Sequence, residues 1–440
     1  MPAEEDAASA TYYLPMDAPL PMPVELDHRH VLGRHLWVGV QRGVVLVLDD
    51  DQDRMFRALK SGVPPNRVLT DFAPPGMSAA DSLPYLEGLV EKMSVSGFLT
   101  GIEGHHDERI ASPNRFARFH LTKACQLECI HCYADSSPYV DRSGEIGTDR
   151  WLRLVDEFAD NRGERILFTG GEALIHKGCL DIMRRAKERR LHTTLFTNGI
   201  LVKRMADRIC EVADQVQVSL DGPDAPTNDA IRGQGTYRKI IEAIDILIGH
   251  GVSLRIGISV MNKNWEVWRN DFLEFAKRYE GKDVEFRLGF GITHYGRGGE
   301  LEDDLDPDQT QPEVNAMLAR VNKGKLKSDD SRITRKTTGC GYNEQLVVGP
   351  DGTIYPCHLL DAPVGHIDER PLKDMLQTLK EMARLFDVDH CEDCKDCSIR
   401  YLCGGTCRVI NGKTNGSRLI NTCTPDEKER RYRNLVRMYL

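Results

Sequence analysis

The chain has 440 residues, 28% of them charged and 40% hydrophobic, with 58 basic against 67 acidic side chains and a net charge of −9. This composition excludes wholesale disorder and fibrous repeats. The acidic balance argues against nucleic acid or an anionic membrane as partner.

At about 150 residues per domain, the length suggests roughly three domains. Residues 1–25, rich in Ala, Pro, Asp and Glu, predict a poorly ordered N-terminus that lacks an apolar signal segment. The cytoplasm is therefore the expected compartment. LWVGV (36–40) and VVLVL (44–48) flank Gln41, Arg42 and Gly43 and predict a hairpin. Val44 to Leu48 is also the longest tight apolar run, far short of a bilayer span. Asp49, Asp50 and Asp51 can cap a helix with Met55, Phe56 and Leu59 on one face, stopped by Gly62 and Pro64. A second helical pattern carries Leu86, Leu89, Val90 and Met93 and ends near Gly97. Strands followed by helices over 26–103 predict a small winged-helix-like domain, and 103–114 read as a linker.

From 115 to 305 the pattern becomes alternating. Short β-rich runs at 118–122, 165–169, 193–197, 216–220, 254–260 and 284–290 are separated by helical stretches. The expected fold class is α/β, a parallel sheet curved into a partial (β/α)6 barrel. Residues 300–335 are acidic, then basic, with one short helix around Val314 to Val321. Residues 336–430 are rich in Gly, Cys and Asp, and a final charged helix starts near Pro425.

Cysteine is the outlier. There are 13, and in a reducing compartment clustered thiols read as metal ligands rather than disulfides. CQLECIHC places Cys125, Cys129 and Cys132 at C-x3-C-x2-C spacing directly after the first barrel strand. Three thiolates can hold three irons of a [4Fe–4S] cubane and leave the fourth open. A zinc knuckle completed by His131 is the alternative, since structural zinc takes four ligands. TGGE (169–172) follows the second strand, where Gly170 and Gly171 expose backbone and Glu172 adds charge. TNG, with Asn198, ends the third strand. VSLDG ends the fourth, with Ser219 and Asp221, and Arg232 follows in the next helical segment. An Arg and a hydroxyl together can clamp a carboxylate. Alternatively, Asp221 simply caps the helix.

Together these motifs resemble the radical S-adenosylmethionine (SAM) enzymes. In that family the residue at position 131 is often aromatic and packs on adenine, where this chain has His131. The resemblance implies that Gly170, Gly171 and Glu172 meet the SAM amino group. It also implies that Ser219 and Arg232, of the S-x-D-G…R pattern, contact the SAM carboxylate and ribose. Asn262, Leu288, Phe290 and GRGG (296–299) occupy further cofactor-facing places, with a strand-core role equally open.

The C-terminal thiols Cys340, Cys357, Cys394, Cys397, Cys403, Cys407 and Cys423 resemble the seven-cysteine SPASM pattern, which binds auxiliary iron–sulfur clusters. By that resemblance, Cys394, Cys397, Cys403 and Cys423 close one auxiliary [4Fe–4S] cluster. Cys340, Cys357 and Cys407 hold the other, its fourth position open or filled by the extra Cys391 or another ligand. Zinc ribbons are the alternative. Cys179 and Cys210 lie on helical stretches and read as buried thiols. His358, after Cys357, stands where sulfatase-maturing relatives have an acidic base, which suggests a catalytic base or a structural histidine.

The N-terminal segment resembles the RiPP recognition element, which binds the leader of a ribosomally made precursor peptide as an added strand. The whole implies a peptide maturase that reductively cleaves SAM to a 5′-deoxyadenosyl radical. The radical abstracts hydrogen from a precursor peptide, giving a cross-link, epimerisation or oxidation. The implied partners are that peptide and a reductant such as flavodoxin or ferredoxin. The alternatives are a sulfatase-maturase-like enzyme or small-molecule dehydrogenase of the same superfamily, and a non-catalytic zinc-binding adaptor.

Overall fold

The computed structural model describes residues 15–99, 115–290, 295–302, 305, 307–322 and 337–438. The predicted linker at 103–114 lies outside them. Leu26–Val31 (β1), Arg34–Gly39 (β2) and Val44–Leu48 (β3) form an antiparallel sheet in that order. Three helices follow, Asp50–Lys60 (α1), Pro65–Asp71 (α2) and Ala79–Val95 (α3). Asp49 caps α1 by accepting the Gln52 N–H at 2.8 Å while the Gln52 side chain reaches back to the Asp49 N–H. Such a cap contributes about 1 kcal/mol. Residues 15–25, expected to be poorly ordered, instead run along this core with Leu20 buried in it.

β3 reads as an unbroken apolar run because both faces of this sheet are covered. Trp37, Val44, Leu46 and Leu48 pack on Met55, Phe56, Leu59 and Leu89 of the helices. Val31, Leu36, Val38, Val45 and Val47 pack the other way, on Ile399, Tyr432 and Val436. The N-terminal sheet thus docks on the C-terminal end of the chain. Each fully buried side chain there contributes roughly 1.5–3 kcal/mol.

The central body has six parallel strands, Phe116–His120 (β4), Arg165–Thr169 (β5), His192–Thr197 (β6), Gln215–Ser219 (β7), Ser253–Val260 (β8) and Val284–Phe290 (β9), each paired with the next. The connecting helices are Thr148–Asp160 (α4), Cys179–Glu188 (α5), Val202–Val212 (α6), Ala225–Arg232 (α7), Thr236–Gly249 (α8) and Asn262–Lys277 (α9), and Pro307–Val321 (α10) follows β9. Ala117, Phe119 and Leu121 pack on Trp151, Leu154 and Phe158 of α4. By strand alternation, Arg118 and His120 face the other side of the sheet.

The sheet does not stop at β9 and β4. Leu346–Val348 (β10) pairs parallel to β4, and Thr353–Tyr355 (β11) and Gly365–His366 (β12) continue it antiparallel, giving nine strands. Sequence reading missed these because strands of three, three and two residues are too short to show a period. The remaining helices are Leu372–Leu385 (α11), Arg400–Cys403 (α12), Arg408–Asn415 (α13) and Pro425–Arg437 (α14). Among the described residues, no helix is long and apolar enough to cross a membrane.

Candidate cofactor and iron–sulfur site

The loop bearing Cys125, Cys129 and Cys132 leaves the end of β4 and is gripped from several sides. Thr122 Oγ1 and the Lys123 N–H donate to Glu145 at 2.5 and 3.0 Å. The Gly171 N–H donates to the Thr122 carbonyl at 2.7 Å and the Glu172 N–H to the Ala124 carbonyl at 2.9 Å. A Cβ on Gly170 would stand 2.4 Å from the Thr122 oxygen, and one on Gly171 2.4 Å from the Ala124 oxygen. Glycine is therefore required for this close approach. Asn198 accepts from Gln126 Nε2 at 3.0 Å and donates to Cys125 Sγ at 3.5 Å. Arg297, in the GRGG segment, donates to the carbonyls of Cys129 and Ser136 at 3.0 and 2.7 Å and pairs with Asp135 at 2.9 Å. The Ile130 N–H donates to the Ile231 carbonyl on α7 at 3.1 Å.

Two buried carboxylates stand beside this loop. Glu172, 1% exposed, accepts from Thr197 Oγ1 at 2.9 Å and from the N–H groups of Asn198 and Leu174 at 2.7 and 3.2 Å. Burial outweighs those donors and pushes its pKa up to about 7. Asp221, fully buried, lies 2.7 Å from Arg232 Nε and 3.2 Å from His131 Nε2, and accepts the Ser259 N–H at 2.8 Å. It does not cap α7; Asp224 does, accepting the Thr227 N–H at 2.8 Å. Burial holds the His131 pKa below its ordinary value, and its Nδ1 is buried without a partner among the described residues.

The other expected residues fall variously. Ser219 ends β7, and Asn262 opens α9. Leu288 belongs to the hydrophobic core, where a strand-core role suffices. Phe290 ends β9, and its side chain lies outside the described residues. Cys179 is buried in the core and Cys210 packs against it.

None of the 13 cysteines forms a disulfide. Cys394, Cys397, Cys403 and Cys423 line one cavity of about 240 Å³. Asn421 Nδ2 donates to Cys394 Sγ at 3.0 Å and Arg431 to Cys403 Sγ at 3.0 Å. Cys340, Cys357 and Cys407 lie within electrostatic reach of one another, Cys357 and Cys407 packing on Tyr342, Leu359 and Val409. Cys391 is fully buried beside Cys394, and its thiol donates to the Asp387 carbonyl at 3.5 Å. Cys391 packs with Val388, Cys394 and Tyr401. The short C-x2-C loop keeps the two together, with the Cys394 N–H on the Cys391 carbonyl at 3.0 Å. His358 stands between the two thiol regions, its ring edge-on to Tyr133 at 6.0 Å. Burial, helped by Arg118, pushes its pKa down to about 4, so it is neutral at neutral pH.

The residues present suit anionic clusters and a bound cofactor. The first loop gathers three thiols near the buried guanidinium of Arg232. Arg431 lies against the C-terminal ones, and His131 offers a free nitrogen. Sequence reading missed Glu145 and Gln126, which hold the loop from outside any motif and leave no spacing signal, whereas Arg297 falls in the GRGG segment it had singled out. Arg118 and His120 were readable from the polar alternation of RFH.

The Radical SAM superfamily model matches residues 119–276, and the SPASM iron-sulfur cluster-binding domain model matches 340–398. The chain carries a radical SAM fold followed by a SPASM domain. Its cofactors are SAM and [4Fe–4S] clusters, in agreement with the expected set. The AdoMet-dependent heme synthase of Methanosarcina barkeri is 26% identical over 324 residues, covering 67% of this chain and 91% of that protein. The PqqA peptide cyclase of Granulibacter bethesdensis is 26% identical over 308 residues, covering 66% and 80%. The structure of Streptococcus suis SuiB bound to the precursor peptide SuiA aligns at a TM-score of 0.58 with 15% identity, covering 92% of this chain and 99% of that one.

Proposed function

We propose that this radical SAM/SPASM chain is a peptide maturase that modifies a ribosomally made precursor. One observation carries the reading. Tyr133, next to Cys132 of the three-thiol loop, packs on the cluster that holds Cys357 and Cys407 and meets the His358 ring edge-on, so the proposed SAM-cleaving and auxiliary centres adjoin. The likeness to a peptide cyclase, and a fold match to SuiB that spans the N-terminal sheet as well, support a peptide over a small molecule. The N-terminal sheet, in which β1 is an edge strand among the described residues, is the proposed leader-binding element.

A reduced [4Fe–4S] cluster with SAM bound supplies hydrogen abstraction from an unactivated carbon. This chain's residues hold and orient. Cys125, Cys129 and Cys132 are the proposed ligands. Gly170, Gly171, Glu172, Asn198, Ser219 and Arg232 are proposed to line the SAM site, with His131 against its base. Asp221 is a positioning residue that neutralises and aims Arg232. Cys394, Cys397, Cys403 and Cys423 are proposed to hold one auxiliary cluster, with Cys391 as their neighbour, and Cys340, Cys357 and Cys407 the other. His358, held neutral, accepts a proton from the substrate. Flavodoxin or ferredoxin in the cytoplasm is the proposed electron source.

The test is anaerobic incubation of the reconstituted enzyme with SAM, reductant and a candidate precursor, read by mass spectrometry. A mass change confined to the core peptide, alongside 5′-deoxyadenosine, is expected. SAM cleavage with turnover of a haem precursor and no peptide change would place the chain with the heme synthases. Turnover of a sulfatase or another small molecule would favour the corresponding alternative. Zinc-dominated protein without SAM cleavage would sink the enzyme reading.

A further inference from the structure

β1 carries His28 and His30 two residues apart, so both side chains leave the same face of the strand. Across the ladder, His30 pairs with His35 and His28 with Trp37 on β2. That face looks onto the first turns of α1, where Asp50 and Asp53 stand. The sequence thus brings three imidazoles and two carboxylates to one seam on the helix-facing side of the sheet, the side opposite the one that packs on Ile399 and Cys397.

Distances within the seam are those of a coordination sphere. His28 Nε2 and His35 Nδ1 are 3.0 Å apart, His35 Nδ1 and Asp53 Oδ2 are 3.4 Å apart, and His28 Nε2 lies 3.9 Å from Oδ1, the other oxygen of the Asp53 carboxylate. A tetrahedral zinc ion with bonds of about 2.0–2.1 Å needs ligand atoms roughly 3.3 Å from one another. The three separations bracket that value. Asp53 is buried, and the two imidazoles are partly so.

The surroundings match those of a metal site too. His35 turns its other nitrogen, Nε2, to Asp50 at 3.0 Å, the carboxylate–histidine arrangement that fixes the tautomer of a ligating imidazole. Asp53 is oriented by Trp37 Nε1, which donates at 2.6 Å, and by Arg57 Nε, which also donates at 2.6 Å. Arg57 Nη2 stands 3.1 Å from His28 Nε2. That side chain is about half exposed and can turn Nη2 outward while its Nε stays on Asp53.

We propose that His28, His35 and Asp53 form a three-ligand site for a zinc-class divalent cation, which clamps the β1–β2 hairpin to α1. Borderline N and O donors favour zinc over magnesium or calcium. Loading replaces the hydrogen bond shared by the two imidazoles with two metal–nitrogen bonds and one metal–oxygen bond, and water takes the fourth position. Any proton held on the two facing nitrogens leaves to solvent. The clamp ties edge strand β1 to a helix, so its effect is to order that edge.

The test uses the full chain with its clusters assembled, so that thiols are occupied. The protein is incubated with zinc sulfate, desalted, and analysed for zinc and iron. Wild type is expected to keep about one more zinc per chain than the His28→Gln/His35→Gln variant, at equal iron. Hydrogen exchange in β1 and the start of α1 should slow on adding zinc in wild type only. His28→Gln alone, which leaves the ladder hydrogen bonds intact, should weaken zinc binding at least about tenfold in competition with a chelator. Equal zinc retention by wild type and the double variant overturns the proposal, and so does zinc binding that leaves exchange in β1 unchanged.

Discussion

Cys125, Cys129 and Cys132 sit on a loop held by the ends of β4 and β6, the turn after β5, and α7, whereas the C-terminal thiols sit in a stretch with little regular structure. In the first region, backbone and side-chain hydrogen bonds from the surrounding elements fix the loop. In the second, order comes from scattered polar side chains. Arg408 donates to the carbonyls of Phe386, Thr406 and Gly404, Thr406 Oγ1 donates to Asn411 and Asn421, and Tyr401 and Arg400 hold Asp389. The first site is therefore expected to keep its shape without its cluster. The second draws part of its folding free energy from what it binds, as small metal domains do.

The largest expected effect breaks the first region alone. Replacing Cys125, Cys129 and Cys132 with Ala should abolish 5′-deoxyadenosine formation and remove one cluster's worth of iron. Far-ultraviolet circular dichroism should stay unchanged, because the loop is held by other groups. A global loss of structure in that variant would contradict a preformed loop. Stripping iron with a chelator should then separate the regions. Hydrogen exchange should accelerate across 388–423 while β4 to β8 stay protected, and equal deprotection of both would erase the contrast.

Glu172 offers a subtler reading of the first region. Its carboxyl has a higher pKa in the fold, about 7, than in an unfolded chain, 4.5. The protonated form is therefore favoured by folding, and stability is lost as pH rises from about 4.5 through about 7. A shift of 2.5 units is on the order of 3 kcal/mol. Urea titrations of cofactor-free enzyme at pH 5.5 and 8 should show this loss in wild type and a flatter profile in Glu172→Gln. Matching pH slopes in the two proteins would remove Glu172 from the account. Smallest is Gly171→Ala, whose new methyl meets the Ala124 oxygen at 2.4 Å. Overpacking of this kind costs about 1–3 kcal/mol, to be read as a lowered denaturation midpoint with weaker SAM binding. An unchanged midpoint would show that the glycine contact is slack.

Much of this architecture was legible in the sequence. The six barrel strands announce themselves as short β-rich runs before helices, and β5 and β9 fall on the expected residues. The hairpin of β2 and β3 and the capped α1 follow from local chemistry. β1 was not expected, because LDHRHV has apolar residues only at its ends and its polar face meets other polar groups. Asp221 was open between a cap and a cofactor role, since its partners Arg232, His131 and Ser259 come from three other segments. The cavity shared by Cys394, Cys397, Cys403 and Cys423 was equally hidden in the residues themselves, because spacing names thiols without saying which ones line one space.

The N-terminal sheet buries one of its faces against Ile399, Tyr432 and Val436, and Arg29 lies over the Tyr432 ring at 4.3 Å. A module docked this way is more than a bead on a string. A peptide captured at its free edge starts from a fixed origin, so its reach toward the barrel depends on its own length rather than on a swinging linker. Local concentration at the reacting centre is then highest for the residue whose spacing from the captured segment matches that span, and it falls for those nearer or farther. Under the proposed function, the docking face would act as a ruler, selecting a position along a peptide before any side chain is inspected.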